Sequence, residues 1–232
     1  MLDADNKSRL DEARTRLTGI QTHLPGSIPV AGISTTSKIP FTALSCREGL
    51  IWRAEELART ACDCFERQDV VAGITLVRAF FETAAALWHL KVTMERQFVK
   101  GIESDLHDQI LQVMLGHRSS DHLPKAINVQ TFIDRLTKTF PHARQNYDDM
   151  SEYAHPNWMG TALPFSVIDK EAFVVTFGRG VRGSERHATL GLSCLNDALA
   201  VAELAYNGIA DFMQAFTKLC EDDLVKRKPA LK

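Results

Sequence analysis

Two stretches of this 232-residue chain carry residue types suited to handling phosphate and protons. In the run 74–90, ITLVRAFFETAAALWHL, the polar exceptions on a nearly all-round apolar helix are Arg78, Glu82 and His89. At about 100° per residue these three fall within roughly 40° of one another, with the small Ala85 between them on the same stripe. An unpaired charge on a buried helix costs several kcal/mol in effective terms, so the stripe needs a reason. One reason is an Arg78–Glu82 pair at i,i+4 on the strip that meets solvent. The other is a cleft between helices, in which Arg78 holds an anion or phosphate, Glu82 orients it, and His89 adds a ligand contact.

The second stretch is 147–158, YDDMSEYAHPNW. With Arg144, the residues Tyr147, Asp148, Ser151 and His155 share one helical face at i, i+3, i+4, i+7 spacing, and Pro156 stops the helix. His155 therefore sits at a helix C-terminus, where the carbonyl ends attract positive charge; that suits a general acid or a phosphate contact, or a ring that satisfies the last carbonyls. Ser151 is its candidate hydrogen-bonding partner in catalysis, and Arg144, Tyr147 and Asn157 are candidate ligand contacts. The catalytic set expected from sequence is thus Arg78, Glu82, Ser151 and His155.

No metal or cofactor is expected. Glu152 and His155 have the E-x-x-H spacing of di-iron bundles, but that site uses two such motifs and only one is present. Cys62-Asp63-Cys64 is one residue short of C-x-x-C, and His117, Asp121 and His122 lie in a polar loop without further regularly spaced ligands. The segment 178–183, GRGVRG, has the composition of a phosphate-cradling loop but neither the G-x-G-x-x-G nor the P-loop spacing, so it reads as a basic surface turn.

The elements that must position these residues are helical. Residues 2–22 form a weakly amphipathic helix, and 24–40, LPGSIPVAGISTTSKIP, is an extended connector with three prolines and two glycines. Helical periodicity then covers 43–66, a run capped by Asp69 and ended by Gly101, 102–115, 129–140, 142–154 and 188–224. Between the last two, the β-branched and aromatic runs 165–168 and 173–177 flank Asp169-Lys170-Glu171, the pattern of a hairpin. The expected fold is an all-α bundle of five or six helices with one small β-hairpin. Residues 1–42 form an N-terminal helix and connector, 43–225 the bundle domain with its hairpin near 165–177, and 226–232 a frayed basic tail.

With 27 Lys and Arg against 29 Asp and Glu the net charge is −2, which neither demands nor excludes an RNA partner. The first residues lack the basic start and apolar run of a secretory signal, and no stretch reaches about 18 consecutive apolar residues, so no membrane partner is expected. Five cysteines, an odd number, read as reduced thiols, and the expected location is cytoplasmic.

The elements Arg78-Ala79-Phe80-Phe81-Glu82 and Ser151-Glu152-Tyr153-Ala154-His155-Pro156 resemble those of uncharacterised bacterial helical proteins that pair an R-x-x-x-E helix with a later S-x-x-x-H element, and are similar to the HEPN superfamily of nucleotide-binding and RNase-type bundles. The resemblance spans about residues 44–215 and implies a homodimer, RNA or a nucleotide as ligand, and metal-independent RNase chemistry. RNase members carry an Arg four to six residues before a His within one helix. Here Arg144 lies eleven residues before His155. Arg182 and His187 have the spacing, but in a Gly-rich loop with no apolar residue after the arginine, and it is read there as coincidence. The alternative is a non-enzymatic interaction or dimerisation module, favoured by the near-zero net charge and the lack of a basic patch interleaved with aromatics.

Overall fold

A computed structural model describes residues 2–183 and 185–227. Helix α1 (Ala4–Thr22) starts where the Asp3 side chain accepts from the Asn6 amide at 2.8 Å, and buries Leu10, Ala13 and Leu17 against the body. The connector contains a single turn, α2 (Val30–Ile33), and gives way to α3 (Lys38–Glu66) before the expected boundary. Pro40 lies inside the first turn of α3, where its missing N–H would have had no helical partner, and Ser37 caps that turn.

A turn with Gln68 at φ 62° reverses the chain into α4 (Val70–Lys100). Asp69 occupies the N-cap position as expected, its carbonyl accepting from the Gly73 amide at 2.9 Å, but its side chain does not cap the helix. Its carboxylate takes Arg67 at 3.2 Å and Arg179 at 2.7 Å instead, leaving the first amides of α4 without a side-chain acceptor. Gly101, at φ 80°, ends α4 as its lack of a Cβ allows.

The short helices α5 (Leu106–Leu115), α6 (Val129–Thr137) and α7 (Ala143–Ala154) follow. After Pro156 come a π-helical turn at Trp158–Ala162 and a single turn, α8 (Leu163–Phe165). Strands β1 (Ser166–Asp169) and β2 (Val174–Phe177) pair antiparallel, Ser166 opposite Phe177 and Asp169 opposite Val174. The chain closes with α9 (Glu185–Arg227), three residues longer at each end than the periodicity indicated. The fold is all-α with one small hairpin. Its helices exceed the five or six expected: α1, α3, α4, α5, α6, α7 and α9 are seven, and α2 and α8 add two single turns too short to show a helical period. Of the basic tail, Lys226 and Arg227 belong to α9, with Arg227 Nε 2.7 Å from Asp223; residues 228–232 lie outside the described residues.

Helix α4 is the centre, packed between α3 and α9. By length and composition α4 and α9 could each cross a membrane, and 61% and 56% of their most apolar windows are buried inside the bundle. At their crossing the ring of Phe65, fully buried, lies against Gly73 and Gly191. A Cβ on Gly191 would come within 2.7 Å of Phe65 Cε1 and 2.9 Å of Ile74 Cγ1, both fixed by the surrounding core. Gly191→Ala is therefore expected to destabilise by about 1–3 kcal/mol net, overpacking outweighing the helix-propensity gain of about 1 kcal/mol. A thermal melt checks this, and an unchanged or higher Tm would mean that the ring has room to shift.

Candidate functional site

The Arg78 side chain leaves α4 and crosses to α7. Its Nε donates to Ser151 Oγ at 2.9 Å and its Nη2 to the Tyr147 hydroxyl at 2.6 Å. Tyr147 donates in turn to Glu82 Oε1 at 2.8 Å, which also lies 3.2 Å from Arg78 Nη2. Ser151 Oγ donates to the Tyr147 carbonyl at 2.8 Å, and the guanidinium lies 4.9 Å from the Tyr147 ring centroid. Two i,i+4 pairs, one per helix, thus interlock. Arg78 and Glu82 keep about a quarter of their side-chain surface exposed, 28% and 25%, so the pair stands at the rim of the helix contact with its charge neutralised. Burial, and then acceptance of its proton by Glu82, push the Tyr147 pKa up, so its hydroxyl remains a donor.

Tyr147→Phe removes the shared bridge but leaves the direct Arg78–Glu82 contact. The expected cost is about 1–2 kcal/mol, near that of one or two charge-linked hydrogen bonds from a buried ring to partly exposed partners. Urea denaturation should show a lower midpoint with an unchanged slope. An unchanged midpoint would mean that the bridge contributes nothing to holding α7 on α4.

The other expected site residues lie apart from this group. His89 shares the stripe with Arg78 but sits three turns, about 16 Å, further along the axis. It faces α6, with Nε2 3.3 Å from Arg135 Nη1 and its ring edge-on to Phe132 at 4.9 Å between centroids. The same Arg135 nitrogen donates to Thr93 at 2.7 Å, and His89 Nδ1 is buried without a partner among the described residues. Burial, reinforced by the positive Arg135, pushes the His89 pKa down to about 4. His155 is the C-cap of α7, in extended backbone at φ −92°, ψ 147°. Its carbonyl accepts from the Asn157 amide at 2.8 Å, while its exposed ring makes no hydrogen bond among the described residues. Arg144 ties α7 to α6 through Asp134 and Gln130 and lies 3.8 Å from Asp148. Asn157 caps the π-helical turn, accepting from Met159 and Gly160 at 2.9 and 3.1 Å.

A second group, which sequence reasoning missed, lies at the start of α9. A cleft of about 590 Å³ is lined by Tyr153, Val167, Arg182, Arg186 and His187. The Tyr153 hydroxyl and His187 Nδ1 are 2.5 Å apart, joining α7 to α9. Arg182 donates from Nε to the Ser166 carbonyl, with its guanidinium 5.4 Å from the Trp158 ring centroid. Among the described residues neither Arg182 nor Arg186 forms an ion pair. The N-terminus of the 43-residue α9 adds its partial positive charge to theirs. Burial first, and then Arg186, push the His187 pKa down, which keeps the ring neutral and fit to accept a proton. Burial also pushes the Tyr153 hydroxyl up, so it stays protonated. The traces of this cleft in the sequence are the Arg182-to-His187 spacing, read there as coincidence, and the phosphate-cradling composition of 178–183, read as a surface turn.

No protein-family model, no curated protein and no solved structure matches the chain.

Proposed function

We propose that this is a HEPN-like helical protein that binds a phosphate-containing ligand, RNA or a nucleotide, in the cleft at the start of α9. The observation that carries this reading is the pair of arginines that form no ion pair among the described residues, beside a hydrogen-bonded histidine at a helix N-terminus. Two guanidiniums and helix amides are the donors that phosphate oxygens select. In this reading Arg78, Glu82, Tyr147 and Ser151 act as positioning residues, since they hold α7, and with it Tyr153, against α4.

Were the ligand RNA, this group would support metal-independent cleavage. With His187 Nδ1–H donating to Tyr153, Nε2 takes the proton of the 2′-hydroxyl as its oxygen bonds to phosphorus. Arg182 and Arg186 balance the developing charge, and the 5′-oxygen leaves, taking a proton from water. The five buried, unpaired cysteines support a cytoplasmic setting.

The test is fluorescence anisotropy with a labelled single-stranded RNA and, separately, a labelled nucleotide, across a salt series. Two phosphate contacts on a single strand give log K against log salt a slope of about −1.4. Absence of binding at low salt, or binding indifferent to salt, would overturn the reading. A non-enzymatic interaction module is the second reading, favoured by the exposed apolar hairpin.

A further inference from the structure

Between α4, the turn joining α6 to α7, and α9 lies a pocket of about 300 Å³ that the phosphate reading does not use. Its floor is the bundle core itself, since Phe81, Leu136, Ala143 and Val201 are all more than nine-tenths buried. Phe140, edge-on to Trp88 at 5.1 Å between centroids, forms one wall. The opposite wall is a face of α9 on which Asp197, Ala200, Val201 and Leu204 follow at i, i+3, i+4, i+7 spacing, and it ends at the mouth in Leu204, 55% exposed. Polar groups gather where α7 meets α9. There Asn146 Nδ2 donates to Asp197 Oδ2 at 3.3 Å, the one side-chain hydrogen bond that Asp197 receives among the described residues. Asp149, on the same helix as Asn146, accepts from Gln145 at 2.7 Å. Neither aspartate forms an ion pair among the described residues. Burial, and then the charges of Asp197 and Asp149, push the nearby Cys194 thiol up to about 12. Burial also holds the Asp197 carboxyl above the usual carboxylate range, against the Asn146 hydrogen bond and His142 at the pocket's rim, which draw it down.

We infer that this pocket binds an organic cation, a primary amine on a compact aromatic body, with the ammonium on Asp197 and the ring against Phe81, Phe140 and Leu204. A carboxylate set among apolar walls without a counter-ion favours a ligand that brings the opposite charge, and an ammonium brings hydrogen-bond donors as well. Of its three donors, one meets the Asp197 carboxylate and a second meets Asn146 Oδ1, which accepts no hydrogen bond among the described residues, so no existing contact need break. Size sets the body. An engineered cavity of about 150 Å³ lined by Leu, Ile and Phe holds one benzene, so a pocket twice as large holds a six-membered ring with a short arm. An anionic ligand would meet two carboxylates without a countercharge, which makes this site opposite in preference to the arginine-lined cleft. The two are also apart. Asp197 lies ten residues beyond His187, about 15 Å along α9, and the inference stands whether or not that cleft binds phosphate.

Isothermal titration calorimetry of the full chain with phenethylamine tests the inference, alongside phenethyl alcohol as the neutral counterpart and hydrocinnamate as the anionic one. The amine should bind one per chain with a Kd below about 1 mM, the alcohol at least about tenfold more weakly, and the anion not at all. Asp197→Asn keeps the size of the side chain at an exposed position and should bring the amine down to the affinity of the alcohol, with the far-UV circular dichroism of the wild type. Ala200→Phe fills the pocket from the half-buried α9 wall and should abolish binding of the amine. Amine binding should persist when Arg182 and Arg186 are both replaced by alanine. No saturation by the amine at millimolar concentration, equal affinity for amine and alcohol, or indifference to Asp197→Asn overturns the recognition of a cation. Unchanged binding in Ala200→Phe, or its loss in the arginine double variant, overturns the assignment to this pocket.

Discussion

Replacing Arg182 and Arg186 together with alanine is expected to weaken binding of a phosphate ligand about a hundredfold at low salt, while the fold stays intact. Each arginine offers charge-assisted hydrogen bonds worth about 1.5 kcal/mol or more, so each single variant should lose about tenfold. Both side chains are exposed, and outside the cleft Arg182 gives up only its bond to the Ser166 carbonyl and its contact with Trp158. Their removal should therefore change stability by no more than about 1 kcal/mol. The salt dependence should flatten in the same double variant, because the charges whose counterions are released are gone. His187→Ala separates binding from turnover, as it removes the proton acceptor but keeps both guanidiniums; its affinity should stay within a few-fold of wild type. Arg78→Ala is the counter-test. A large loss there, with none in the double variant, would move the ligand to the contact of α4 and α7, where Arg78 is occupied by Ser151, Tyr147 and Glu82.

How far the sequence could lead depended on whether a relation lay within one element. Arg78 with Glu82 and Tyr147 with Ser151 are each one helical turn apart, and their faces were legible from spacing alone. That the two pairs would interlock was not legible, because 69 residues separate Arg78 from Tyr147 and packing alone sets which turns meet. The stripe through Arg78, Glu82 and His89 was read correctly as a direction and too generously as a place, since rotation about an axis says nothing of distance along it. His89 consequently meets α6 rather than α7. The cleft at α9 was hidden for a further reason. Its arginines flank the end of a glycine-rich loop, and Tyr153 belongs to a helix 34 residues earlier than His187, so no single period contains them. In the fold, long periodic segments and the hairpin were readable, whereas single turns such as α2 were not.

His89 should give the protein an acid limb of its own. His89 is 7% exposed, its ring wedged between Phe132 and Arg135, with Nδ1 unpartnered among the described residues. The unfolded chain takes up the proton near pH 6.5 and the folded protein only near pH 4, because protonation buries a second positive charge beside Arg135, with Arg96 adding to the repulsion. The unfolded state thus binds more protons across this window, and stability falls as the pH is lowered. The contribution is fully present above about pH 6.5, declines through the window and is lost below about pH 4, amounting to about 3 kcal/mol in all. Carboxylates titrate over part of the same range, so the wild-type curve alone does not isolate the histidine. His89→Phe does, because it keeps an aromatic ring against Phe132, leaves Arg135 its bond to Thr93 and removes the titration. The difference in unfolding free energy between variant and wild type, measured by urea denaturation from pH 7.5 to 4, should therefore change by about 3 kcal/mol in the variant's favour as the pH falls. A pH-independent difference would mean that His89 titrates alike in both states, and that α6 yields to let water reach the charged ring.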